Sequence, residues 1–197
     1  MGTVPRAGVL PPPATWRVQG GDGASASETA PPAKPALATT WLATRSIIVG
    51  ELLLLGGVRF LQLTGDDITQ QHWDKFYEFY LATIDKKWGG AYLTRGFFDR
   101  IGQYLANKIL LIMAEQDGDI IAGALNFIGH DALYGRNWGC LRELPNLHFE
   151  TCYYQAIDFA IRTGLSRVEA GAQGIHKVQR GYVPVITYSA HWIGHEA

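Results

Sequence analysis

The side chains best suited to chemistry lie between Leu141 and Tyr182, in the stretch LRELPNLHFETCYYQAIDFAIRTGLSRVEAGAQGIHKVQRGY. His148 and Glu150 offer an imidazole and a carboxylate for proton transfer, and Gly171, Gln173, Gly174, His176, Lys177 and Arg180 follow within one short segment. Two glycines around a glutamine let a backbone approach a ligand closely, while the three nitrogen-bearing side chains suit an anionic or polar group. The same composition also describes an ordinary turn with a solvated His/Lys/Arg surface. No Walker pattern and no dinucleotide fingerprint occurs, so phosphate cradling is unsupported. His148, Glu150 and His176 lack the His-x-x-x-His spacing of a helical metal site, and no metal is expected. Cys140 and Cys152 have no assignable base beside them and read as buried thiols.

The elements that must position these groups follow from spacing. Asn146 stands where a cap would open a helix, with Phe149, Tyr153, Ala156 and Ala160 on one apolar face. Arg162 and Gly164 are stop signals that end this helix near Thr163, and a short strand, Arg167 to Ala170, follows. Upstream, Asp67 or Thr69 starts a helix carrying Trp73, Phe76, Tyr77, Tyr80, Leu81 and Ile84, and Thr94 starts a second one carrying Phe97, Phe98, Ile101, Tyr104 and Leu105. Val58 to Leu63 alternates like a strand. Ile109 to Glu115 and Ile120 to Ile128 form an antiparallel pair around the Asp117-Gly118 turn. A third strand places Tyr134, Arg136, Trp138 and Cys140 on one face, where an arginine between aromatics can either bind a carboxylate or phosphate or form a structural cation–π sandwich. Helices before and after a meander predict an α+β (mixed α/β) layered fold with a mostly antiparallel central sheet.

At 197 residues, 47% hydrophobic and 18% charged, the chain can bury one substantial core. Seventeen Lys plus Arg against eighteen Asp plus Glu leave a formal charge of -1, which gives no global attraction to nucleic acid or to an anionic membrane. Two cysteines are too few for a secreted disulfide scaffold and point to a reducing compartment such as the cytoplasm. Residues 1–45 hold seven of the nine prolines without a sustained apolar period and read as a disordered Pro/Ala/Gly-rich tail. Its scattered Arg6, Arg17, Lys34 and Arg45 leave an organelle (plastid-type) transit peptide open beside a plain tail. The apolar run Ile47 to Leu55, broken by Gly50 and Glu51, is too short to span a bilayer.

The blocks LTGDDIT (Leu63 to Thr69), HWDKFYEFY (His72 to Tyr80), LYGRNWGC (Leu133 to Cys140), LHFETCYYQ (Leu147 to Gln155), EAGAQGIHK (Glu169 to Lys177) and TYSAHW (Thr187 to Trp192), in this order, resemble the FemAB-like peptidoglycan biosynthesis/recognition family. The resemblance covers 58–193 and implies a fold like that of the GNAT acyl-CoA N-acyltransferases. It matches the second of the two tandem halves of full-length members. It implies transfer of an acyl or aminoacyl group to an amine acceptor, a small molecule or a cell-wall-like peptide, with acyl-CoA or aminoacyl-tRNA as the donor. A recognition module or an inactive half-length form is the alternative. The loop CLRELPNLHFE lacks the glycines with which ordinary GNAT enzymes hold a pyrophosphate, and no basic stripe suits a tRNA backbone. Carried over residue by residue, the resemblance marks Tyr134, Arg136, Trp138, Gln155, Gln173, Gly174, His176, Lys177 and Arg180 as substrate-binding. His148 or Glu150 would be the base and Tyr153 or Tyr154 the acid. Tyr153 lies on the helix's apolar stripe, which leaves Tyr154 with His148 and Glu150 as the catalytic set. Because strands in such a sheet splay apart, Arg136, His148, Glu150, Gln173 and His176 are expected to face one cleft.

Overall fold

A computed structural model of the protein describes residues 57–86, 90–171 and 174–188, and the backbone of 14–19. One seven-stranded sheet runs through it in the order β2-β3-β4-β5-β6-β1-β7. The strands are β1 (Ala14–Gln19), β2 (Val58–Leu63), β3 (Ile109–Gln116), β4 (Asp119–Ile128), β5 (Ala132–Cys140), β6 (Arg167–Glu169) and β7 (Val183–Ile186). Every neighbouring pair is antiparallel except β5 with β6. The expected α+β architecture is thus present. The β3–β4 turn is the Asp117-Gly118 pair, with both φ angles positive as a tight primed hairpin requires.

Alternation along β3 sorts the core into two layers. Ile109, Leu111 and Met113 point to helices α1 (Gln70–Lys86) and α2 (Arg95–Leu105), where they meet Trp73, Phe76, Phe79, Tyr80, Phe98 and Ile101. Leu110 and Ile112 point the other way, onto the helix of residues 147–163, here α3. The expected stripe on α1 is present, with Phe79 buried in addition. On α2, Phe98 and Ile101 are buried but Tyr104 is exposed. Gly139 sets how close α1 comes to the sheet, since a Cβ there would lie 2.1 Å from the Phe79 carbonyl oxygen.

The start of α3 differs from its expected form. Asn146 occupies the cap position in a left-handed conformation (φ 62°) and makes no side-chain cap bond; its carbonyl accepts from the Glu150 amide at 3.0 Å. The helix then passes through a π-helical turn, Glu150–Tyr154, between α-helical Leu147–Phe149 and Gln155–Thr163. One extra residue in that turn rotates the apolar stripe, so Tyr153 and Tyr154 are both buried. The helix ends at Thr163 with Gly164 left-handed, as its stop signals require.

One correction concerns the tail. Residues 14–19, expected to lack structure, form a strand inserted between β6 and β7, so that β7 pairs with β1 alone. Pro-free and rich in Thr, Trp and Val, ATWRVQ has the composition of a strand. The remainder of 1–45, the apolar run 47–55, Lys87, Trp88, Gln173 and residues 189–197 lie outside the described residues. A chain beginning at Arg45 would lack β1. Its melting temperature should therefore drop by more than about 2–4 °C, the shift that about 1 kcal/mol produces in a chain of this size. Unchanged melting would show that β1 contributes nothing to the fold.

Candidate functional site

The candidate site is a gap in the sheet. β5 pairs with β6 only from Ala132–Arg167 to Tyr134–Glu169, then runs on to Cys140 paired with β4 alone, so β5 and β6 part beyond Tyr134. A bulge lies at the same level: Asn126 pairs with Gly135 and Leu125 with Asn137, leaving Arg136 as the extra residue. Together they open a space of about 120 Å3, lined on the α3 face by Ala124, Asn126, Trp138, His148, Cys152 and Tyr153, and by Leu125 and Asn137 from the α1 face. That volume is well below the roughly 300 Å3 of a small-molecule pocket and suits the reacting ends of substrates, not whole ones.

The bulge corrects the expected facing of β5. Leu133 pairs with Ile128 and Tyr134 with Phe127, which puts Tyr134 on the α1/α2 face. Past the bulge Trp138 pairs with Ala124 and Cys140 with Ala122, which puts both on the α3 side. One extra residue in a two-residue period reverses the side, so Tyr134 and Trp138 do not share a face. Arg136 is turned to the α1 side, where its guanidinium donates to the Tyr92 hydroxyl at 3.1 Å; Tyr92 in turn packs edge-on against Tyr80 of α1.

On the α3 face the geometry converges on Tyr153 and His176. The Tyr153 hydroxyl and His176 Nε2 are 3.0 Å apart. Burial pushes the Tyr153 phenol up, and burial, with the Arg180 and Lys177 charges behind it, pulls the His176 imidazole below 6.5. Both shifts favour a hydroxyl that donates to a neutral ring. His148 completes an aromatic wall, its ring centroid 5.1 Å from Trp138, 5.4 Å from Tyr153 and 6.0 Å from His176. Beneath Tyr153 lies Tyr182, 1% exposed, edge-on at 5.4 Å, its buried hydroxyl without a hydrogen-bond partner among the described residues.

Three residues fix His176. It sits in a 3-10 turn, Ile175–Arg180, behind Gly174, whose φ of 109° and position leave no room for a side chain: a Cβ would come within 2.4 Å of His176 Cε1. Arg180 donates to the His176 carbonyl at 2.9 Å while its guanidinium lies 3.5 Å above the Phe149 ring, tying the turn to α3. Lys177, 4% exposed, donates to the Ala170 and Gly171 carbonyls at 2.7 and 3.2 Å and so closes the loop after β6. Burial lowers its ammonium pKa. Lys177 and Arg180 therefore brace the loop that carries His176.

The other expected site residues lie elsewhere. Glu150, 4% exposed, accepts from Gln155 Nε2 at 2.7 Å, and Gln155 Oε1 accepts from Gln62 of β2 at 2.8 Å, in a chain that runs on to Arg162. This network joins α3 to β2. Tyr154 is buried in the same core layer as Tyr153, with the Arg180 guanidinium 6.0 Å from its ring. The expected single cleft of Arg136, His148, Glu150, Gln173 and His176 is replaced by His148 and His176 on one face and Arg136 on the other, with Glu150 in the α3–β2 network and Gln173 outside the described residues. The reasons are the bulge, which reverses β5, and the π turn, which rotates α3. Sequence reasoning missed Asn126, Tyr92 and Gly135. Only Asn126 carried a signal, as one polar residue inside the apolar strand IIAGALNFI; it is 2% exposed and bonds the Leu110 and Ala124 carbonyls. Burial pushes the Cys152 thiol up, which argues against a nucleophile there. Among the described residues no three His, Cys, Asp or Glu side chains are grouped to hold a metal, and no helix is long and apolar enough to cross a membrane.

The FemAB-like family, described as peptidoglycan biosynthesis/recognition, matches residues 53–197. The chain belongs to that family. Among solved structures, FemX is similar over 89% of this chain and 60% of its own, at 11% identity and a TM-score of 0.60. The C-terminal domain of a putative lysylphosphatidylglycerol synthetase from Agrobacterium fabrum covers 85% of this chain and 49% of its own, at 9% identity and a TM-score of 0.54. A conserved protein of unknown function from Bacteroides thetaiotaomicron covers 89% and 60%, at 14% identity and a TM-score of 0.51. These likenesses establish the shared GNAT-like fold, and this FemAB-like chain spans 49% to 60% of the length of those structures. No curated protein matches it.

Proposed function

We propose that this FemAB-like protein is an N-acyl- or aminoacyltransferase whose reaction takes place in the gap between β5 and β6. The observation that carries the reading is the Tyr153–His176 pair, 3.0 Å apart at a break in the sheet. An acceptor amine that attacks a donor carbonyl must lose a proton. Tyr153 takes it as its own hydroxyl proton passes to the neutral His176 Nε2, and the same pair returns a proton to the departing oxygen or sulfur. Peptide N–H groups along β5 beyond Tyr134, where β6 has turned away, are the available donors to the oxyanion of the tetrahedral intermediate. Trp138 and His148 shield that centre from water. Family membership supports this class of reaction, with acyl-CoA or aminoacyl-tRNA as donor and a small-molecule or peptide amine, cell-wall-like in character, as acceptor. Donors of both kinds are present in the cytoplasm, where we place the reaction.

The test offers the full chain acetyl-CoA or alanyl-tRNA together with a lysine-containing peptide and looks for the amide product by mass spectrometry. Product formed by the wild type and not by His176→Ala is the expected result. Product from neither donor, with the peptide still bound, would favour the recognition module instead.

A further inference from the structure

Resting on the transfer reading, we infer that Arg136, with Tyr92 and Tyr134, forms an acceptor subsite on the α1/α2 face that takes an oxyanion, a carboxylate or phosphate carried by the same molecule as the reacting amine. Arg59, Arg95 and Arg167 each lie on a carboxylate, at Glu115, at Asp74 and Asp99, and at Asp131 and Glu169. Arg136 is exposed and makes no ion pair among the described residues; its one side-chain hydrogen bond to them goes to a neutral phenol, Tyr92. A guanidinium presents five N–H donors in a flat fork, so a single bond from Nη2 to Tyr92 orients the fork and leaves a paired edge for an oxyanion. Tyr92 and Tyr134, 62% and 39% exposed, stand on the same face as open aromatic surfaces for the stem of such a molecule.

The bulge gives Arg136 its reach. As the extra residue it lines the gap that on the opposite face is lined by His148 and Tyr153. An acceptor held by its anion at Arg136 can pass its amine into the gap towards Tyr153, leaving the α3 face to the donor. Two substrates then meet through the sheet from opposite sides. The space between the two ends is small, about 120 Å3, which favours an amino acid, a short peptide end or a phosphorylated amine.

Two probe pairs test this by calorimetry on the full chain: Ala-Lys-Ala with a free or an amidated C-terminus, and O-phosphoethanolamine against ethanolamine. In at least one pair the anionic member should bind at least about 10-fold more tightly, and which pair shows it separates carboxylate from phosphate. Arg136→Gln should abolish the preference, Arg136→Lys should keep part of it because a point charge lacks the fork, and His176→Ala should leave it unchanged. Melting curves of the variants exclude misfolding. Equal binding within both pairs, including no measurable binding of any probe, overturns the subsite, as does a preference that survives in Arg136→Gln. An intact preference with no amide product from any donor overturns the transferase reading alone, whereas product formation without a preference overturns the subsite alone.

Discussion

Tyr153→Phe and His176→Ala should each slow transfer by about 10²–10⁴-fold, the usual contribution of a positioned proton-transfer group, and the double variant should be no slower than the worse single one. The two side chains share one proton path through a 3.0 Å contact, so removing either end breaks it. Folding should change little. Phenylalanine keeps the Tyr153 ring stacked on Phe149 at 6.2 Å and edge-on to Tyr182 at 5.4 Å, and deletes one hydrogen bond, worth about 0.5–1.5 kcal/mol. Rates and denaturant midpoints measured on the same preparations decide the matter. Losses that add in the double variant would mean that the residues act separately, and a large fall in stability with near-normal rates would make the pair a structural corner.

Phe76→Ala should destabilise the protein by about 3–5 kcal/mol, as truncation of a fully buried aromatic does. Phe76 is 0% exposed, meets Phe98 edge-on at 5.7 Å and Trp73 at 6.5 Å, and belongs to the layer that also holds Leu111, Met113 and Leu125. Gly123 of β4 marks how tightly the ring is enclosed, because a Cβ there would come within 3.1 Å of Phe76 Cδ2. Urea unfolding reads this directly. A midpoint near that of the wild type would contradict the packing of α1 on the sheet.

Most of this layer was legible from the sequence, since Trp73, Phe76 and Tyr80 recur at helical spacing and β3 and β4 are short apolar runs joined by a recognisable Asp-Gly turn. The two features that shape the site were not. A bulge leaves no mark in LYGRNWGC, yet it separates Tyr134 from Trp138 and turns Arg136 to the α1 face. A π turn likewise leaves no mark in ETCYY; with it Glu150 joins a network with Gln155 and Gln62, and Tyr153, not Tyr154, comes within hydrogen-bonding distance of His176. Both are one-residue insertions in a regular ladder, and their stability depends on tertiary partners that periodicity does not register. The glycine and cation cluster was visible as a ligand-facing loop, but its division of labour was not: Gly174 makes room for His176, while Lys177 and Arg180 brace its backbone. The strand at Ala14–Gln19 was hidden by the proline-rich segment around it, because composition averaged over a tail dilutes six strand-forming residues.

The most direct test of a neutral imidazole poised on Tyr153 is the titration of His176 by nitrogen-15 NMR in the full chain. Burial and the nearby Arg180 and Lys177 charges should hold its pKa below 6.5, so the ring stays neutral at pH 7 and protonates only as the pH falls through that lowered value. Its Nε2 should carry the shift of an unprotonated nitrogen accepting a hydrogen bond, and that shift should move in Tyr153→Phe. Transfer that requires the neutral ring would be lost over the same acidic range. A pKa at or above 6.5, or an Nε2 signal indifferent to Tyr153→Phe, would contradict the proton path on which the proposed reaction depends.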